Sequence, residues 1–129
     1  MRAAYLDSSA AVKLIVAEAE SSALRSWLRG RTPTSSVLLR VEVIRAVRHQ
    51  GPPAVARAVR LIQPLELLRL SRLVLDRAAS VEPKHLRTLD AIHLATAALM
   101  TGSSSTFVSY DERLIRAADQ LGLQVASPI

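Results

Sequence analysis

The sequence predicts an α/β protein, a three-layer α/β/α sandwich around a central parallel sheet of four to five strands. Three observations predict it. Short apolar runs alternate along the chain with stretches of helical periodicity, and each parallel return needs a crossover that such a helix supplies. All four glycines, Gly30, Gly51, Gly102 and Gly122, fall just after helical stretches, where a helix ends at least cost. The 129 residues are 50% apolar and 22% charged, a balance that suits one domain over residues 1–129 with a core of its own.

In chain order, the first strand runs from Ala3 to Leu6, followed by helices over Ser9 to Val16 and Glu20 to Arg29. In the second of these Leu24, Trp27 and Leu28 share one face, which places Trp27 in the core. A short strand from Pro33 to Ser36 leads into a helix from Val37 to His49, and Pro52-Pro53 opens another that runs to Gln63. Leu65 to Leu70 reads as the third strand. Helices over Ser71 to Ser80 and Thr88 to Thr101 follow, then a strand from Thr106 to Ser109, a helix from Glu112 to Leu121 and a last strand from Leu123 to Ala126.

The chain has no cysteine, which excludes disulfides, thiolate zinc sites and thiol catalysis, so a bound metal must be held by oxygen or imidazole. Asp7 and Lys13 break the first apolar run, and His93, Gly102 and Ser103-Ser104-Ser105 break the long uncharged one, so no signal peptide or membrane span is predicted. A reducing cytoplasm is the expected compartment. Lys+Arg 17 against Asp+Glu 11 gives a net charge of +6, which favours a polyanionic partner such as RNA or an acidic protein. Only Lys13 and Lys84 are lysines, however, and a G- and C-rich genome gives the same arginine excess without a functional cause. Aromatic residues make up 3%, too few to read single strands by base stacking, so phosphate contacts must dominate any nucleic-acid binding.

In open parallel sheets the ligand site lies at the carboxyl ends of the strands. Asp7 ends the first strand and Asp111 the fourth, Asp90 stands in the first turn of a helix, and Glu42 lies one to two turns into the helix after the second strand. Taken singly, Asp7, Asp90 and Asp111 each suit helix capping or the helix dipole. Glu42, past the first turn, does not, although a surface pair with Arg45 remains open and stabilises a helix by only about 0.2–0.5 kcal/mol. If the four converge, like charges about 4 Å apart repel by roughly 4 kcal/mol at an effective dielectric near 20, and the cluster demands cations. Oxygen-only ligation selects Mg²⁺ or Mn²⁺, and such ions support phosphodiester hydrolysis without a nucleophilic side chain.

The segments Tyr5-Leu6-Asp7-Ser8-Ser9-Ala10-Ala11-Val12-Lys13-Leu14, Glu42, Leu89-Asp90-Ala91-Ile92-His93-Leu94-Ala95 and Val108-Ser109-Tyr110-Asp111-Glu112-Arg113-Leu114 resemble the PIN-domain ribonucleases, and among these the VapC toxins of bacterial type II toxin–antitoxin systems. The resemblance spans nearly the whole chain and implies a PIN-like fold. It implies an acidic metal site of Asp7, Glu42, Asp90 and Asp111, with Ser9 and Ser109 supporting it, and an RNA substrate. It also implies a homodimer and a cognate VapB antitoxin whose tail covers the site. For self-association the sequence offers apolar residues on the helix pair, Val41, Ile44, Val47, Val55, Val59 and Ile62, which core packing also explains. Arg40, Arg45, Arg48, Arg57 and Arg60 are open to RNA phosphates, an acidic partner or a solvated basic face. His93, three residues after Asp90, reads either as a further ligand or, with Ile92 and Ala95 beside it, as a packed or capping histidine.

The competing class is a non-catalytic basic α/β module in which the acids cap helices and the arginines bind protein or RNA. A third reading, with Asp7 as a phosphatase nucleophile or receiver-type acceptor, ranks last. Ser9 stands where such phosphatases place a second Asp, and no lysine follows the late strands.

Overall fold

The structure is a computed structural model that describes residues 2–100 and 105–129. Five strands, β1 (Arg2–Leu6), β2 (Arg31–Ser36), β3 (Glu66–Leu68), β4 (Thr106–Val108) and β5 (Val125–Ala126), form one sheet in the order β3-β2-β1-β4-β5. All four pairings are parallel. The helices are α1 (Ser8–Lys13), α2 (Ser21–Leu28), α3 (Leu39–Val47), α4 (Pro52–Ile62), α5 (Arg72–Ser80), α6 (Thr88–Ala98) and α7 (Glu112–Gln120). The expected α/β/α sandwich is therefore present. None of the described helices is long and apolar enough to cross a membrane.

The chain builds outward from β1 to β3 and then returns to add β4 and β5 on the other side of β1. The order thus reverses between β1 and β4, the place where sheets of this kind open a crevice for ligands. Alternation along the two strands covers both faces. Ala4, Leu6 and Val108 pack with Ala10 and Leu24 of α1 and α2, whereas Tyr5 and Phe107 pack with Leu94 of α6 and Leu114 and Ala117 of α7. A further cluster joins Ala11 and Ile15 to Leu39, Val43 and Val47 of α3, spaced four apart on one stripe, and to Ala54 and Ala58 of α4. Full burial of each such Leu or Val side chain stabilises the fold by about 1.5–3 kcal/mol.

Three expectations need correction. The helix carrying Glu42 starts at Leu39 rather than Val37: Val37 and Leu38 form a turn, with the Val37 amide donating to the Leu68 carbonyl of the neighbouring strand and the Leu38 amide to the Ser36 hydroxyl. Glu42 therefore stands in the first helical turn, not beyond it. Trp27 is only partly buried at the margin of the core, with the Arg31 guanidinium 3.9 Å from its ring centre. Of the apolar residues on the helix pair, Val47 is core while Val41 and Val59 are 59% and 44% exposed. The expected helix end at Thr101, Gly102 and the serines at 103 and 104 lie outside the described residues.

Candidate active site

Asp7 follows β1 directly and is the N-cap of α1. Its Oδ1 accepts from the Ala10 amide at 2.9 Å and from the Ser9 hydroxyl at 2.7 Å, and its Oδ2 accepts from the Ser109 hydroxyl at 2.5 Å. Capping thus uses one oxygen only. The side chain is buried, and burial pushes its pKa up, while the donors Ser109, Ser9 and Ala10, in that order, pull it back down.

The two serines extend the cluster to the loop after β4. Ser9 Oγ accepts from the Tyr110 amide at 2.9 Å, and Ser109 Oγ accepts from the Asp111 amide at 3.1 Å. Asp111 in turn caps α7, its Oδ1 accepting from the Arg113 and Leu114 amides. So Asp7 and Asp111 each cap a helix and also sit at the crevice between β1 and β4.

Asp90 caps nothing. It lies in the first turn of α6, whose N-cap is Arg87, and among the described residues it has no side-chain hydrogen bond or ion pair. Its pKa is pushed up by partial burial first and next by the charge of Asp111; His93 opposes the shift, and Asp7 and Glu42 add to it.

Glu42 does not pair with Arg45. Its Oε1 lies 2.6 Å from Nε2 of His93, whose Nδ1 lies 2.7 Å from the Tyr5 hydroxyl. The Glu42 side chain is 12% exposed and that of His93 1%. His93 is thus packed, as its apolar neighbours suggest, but its partner is one of the candidate acids. Its spacing, one turn beyond Asp90 on α6, puts it close to a candidate acid but does not point to Glu42 as its partner.

Two grooves meet the cluster. Glu42, Ser9, Lys13, Val41, Leu89 and Tyr110 line one of about 750 Å³. Asp90 and Asp111 line another of about 770 Å³, together with His85, Arg87, Arg113 and Arg116. Asp7 is hydrogen-bonded to Ser9 of the first and, through Ser109, to the Asp111 backbone of the second. Of the other arginines singled out in the sequence, Arg45 lines the first groove and Arg57 donates to the Ile15 carbonyl.

Among the described residues no three Asp, Glu or His side chains are close enough to enclose an ion. The donor set nonetheless suits a hard divalent cation: Asp7, Asp90 and Asp111 have no cationic partner among the described residues, and Asp90 carries the repulsion of the other acids. The residues fit Mg²⁺ or Mn²⁺ in chemistry, with side-chain adjustment needed to close around it.

A PIN-domain family model matches residues 4–120. The chain is 49% identical to Ribonuclease VapC46 of Mycobacterium tuberculosis strain ATCC 25618 / H37Rv over 129 residues, covering 99% of each. It is 40% identical to Ribonuclease VapC47 of M. tuberculosis strain CDC 1551 / Oshkosh over 130 residues, covering 96% of each. Among solved structures, VapBC2 from Rickettsia felis, bound to a fragment of promoter DNA, superposes with a TM-score of 0.74 at 12% identity, over 98% of this chain and 99% of that one. M. tuberculosis VapC20, described as a toxin that cleaves the sarcin–ricin loop, superposes with a TM-score of 0.73 at 14% identity, over 97% of this chain and 99% of that one. With a matching family model across most of its length and relatives at this level of identity, the chain belongs to the PIN-domain family and, within it, to the VapC ribonucleases.

Proposed function

We propose that this protein is a metal-dependent endoribonuclease, the toxin of a toxin–antitoxin pair, acting as a single domain whose acidic centre is Asp7, Glu42, Asp90 and Asp111. The observation that carries the assignment is the hydrogen-bonded run from Ser9 through Asp7 and Ser109 to the Asp111 amide at the β1–β4 crevice, beside a groove that Asp90 and Asp111 line together. Asp90, which accepts no hydrogen bond among the described residues and shares a groove with Asp111, is poorly explained as a helix cap. The four carboxylates would hold Mg²⁺ or Mn²⁺, and a divalent ion supplies Lewis acidity toward a phosphodiester and makes water a better nucleophile at neutral pH.

The chain's own residues do the rest. Ser9 and Ser109 donate to Asp7 and hold its carboxylate in place. Arg87, Arg113 and Arg116 flank Asp90 and Asp111 along one groove and suit the phosphates of an RNA strand led past the acids. Membership of the VapC group supports a VapB-type antitoxin, a homodimer and action in the cytoplasm, and exposed Val41 and Val59 supply apolar surface for association.

The second reading, a non-catalytic basic module, draws support from the caps made by Asp7 and Asp111. It leaves Asp90 and the Glu42–His93 pair without a purpose. One experiment separates the two: end-labelled RNA incubated with the protein and Mn²⁺, with and without chelator. We expect chelator-sensitive fragments from the wild type and none from Asp90→Asn; intact RNA in every lane would establish the module.

A further inference from the structure

Glu42 ends a buried chain of hydrogen bonds that begins on the central strand. Tyr5 of β1 is fixed by stacking on Phe107, with ring centres 5.6 Å apart, and stands edge-on to His93 at 5.7 Å. Its hydroxyl reaches Nδ1 of His93 at 2.7 Å, and Nε2 reaches Glu42 Oε1 at 2.6 Å. The direction of the bond to Glu42 follows from what each group can do: a carboxylate oxygen accepts, so Nε2 of His93 donates to it, and Nδ1 is left to pair with the Tyr5 hydroxyl.

A histidine that merely fills the core gains nothing from this arrangement, because leucine occupies a similar volume without a polar atom to satisfy. A glutamate in the first turn of a helix, in contrast, has three rotatable side-chain bonds and loses much freedom when held in one orientation. We infer that His93, its ring held in place by Tyr5, is the positioning residue that holds the Glu42 carboxylate toward the acidic centre. Oε1 is occupied by the imidazole, which leaves Oε2 as the oxygen Glu42 offers to that centre. The inference rests on the role given above to Glu42.

The test uses the full chain and five variants: His93→Leu, His93→Gln, Tyr5→Phe, Glu42→Gln and the double variant His93→Leu/Glu42→Gln. Three quantities are measured: Mn²⁺ affinity by calorimetry, kcat and KM for RNA cleavage, and melting temperature. Loss of a partner that orients a metal ligand lowers affinity or activity by about 10–100-fold. We expect that loss for His93→Leu, a smaller one for Tyr5→Phe, and KM for RNA unchanged in both. His93→Gln should recover most of it, since its amide nitrogen can donate to Oε1. In Mn²⁺ affinity the double variant should be no weaker than Glu42→Gln alone, because His93 acts through Glu42.

A folded His93→Leu with wild-type affinity and kcat overturns the inference, as do additive losses in the double variant. Should His93→Leu fail to fold, Tyr5→Phe, which keeps the ring, decides: wild-type values in that variant also overturn it. A wild-type protein that neither binds Mn²⁺ nor cleaves RNA refutes instead the functional reading on which it rests.

Discussion

The Ser109 hydroxyl donates to Oδ2 of Asp7 at 2.5 Å, joining the end of β4 to the end of β1 across the crevice of the sheet. The Ser109 oxygen also accepts from the Asp111 amide, so one small side chain serves two of the four candidate acids. Hydrogen bonds to charged groups contribute about 1.5–3 kcal/mol each. Ser109→Ala should therefore destabilise the protein by about that much at pH near 8, measured by urea unfolding. The loss should shrink at acid pH, where Asp7 is protonated and has less need of a donor.

Asp90 gives a pH dependence with a definite sign. Its folded-state pKa is raised, by burial and then by Asp111, so the folded protein keeps a proton that the unfolded chain releases at about pH 3.9. Asp90 therefore costs nothing below the unfolded value, and its destabilising effect grows as pH rises to and through the folded one. In chelator, Asp90→Asn should melt above the wild type, by roughly 3–5 °C for each kcal/mol relieved, with a gap that widens from about pH 4 toward neutrality. Equal melting temperatures across that range would show that the acids do not interact.

Metal should reverse this ranking. A cation bound to the folded state only, at about a hundred times its dissociation constant, stabilises by roughly 2.7 kcal/mol. Millimolar Mn²⁺ should raise the melting temperature of the wild type and leave Asp90→Asn nearly unmoved, as a thermal-shift titration can measure.

The arginine groove predicts a change in salt dependence. Each phosphate contact to a single strand contributes about −0.7 to the slope of log affinity against log salt. Arg113→Glu and Arg116→Glu should each weaken RNA binding in chelator and flatten that slope by about this amount, read by filter binding at several salt concentrations. An unchanged slope would move the RNA path elsewhere.

Gly51 joins the turn after α3 to α4 with φ +93° and ψ 176°, a conformation that residues with a side chain rarely adopt. The space around it is open, since a methyl group added there would meet nothing nearer than Pro53 Cδ at 3.8 Å, so the backbone alone sets the penalty. Gly51→Ala should cost about 1–3 kcal/mol in unfolding free energy without affecting RNA cleavage.

Much of this architecture is legible in the order of residues, because alternation at β1 and four-residue spacing on α3 are physical requirements of strands and helices buried on the faces shown. The acids Asp7 and Asp111 are legible for the same reason, each following a strand and opening a helix. Glu42 is legible as a candidate but not in its exact place, since a turn at Val37 and Leu38 precedes α3 and shifts its start by two residues, finer than the apolar pattern resolves. Trp27 shares a face with core leucines, yet a guanidinium from the next strand covers part of its ring at the margin. The partner of His93 is out of reach of sequence: the 2.6 Å contact to Glu42 joins residues 51 apart in the chain, and no local pattern encodes it.

The central position of β1 has a consequence for how activity can be lost. Asp7 leaves the middle strand of five, its amide donating to the Val108 carbonyl, and its neighbours on both faces belong to the core. Frayed ends and outer helices open without disturbing it, so its amide should exchange with solvent only when the whole molecule comes apart. Activity should then fade before the fold does, as Glu42 and Asp90 shift with α3 and α6, while the Asp7 amide stays protected until global unfolding.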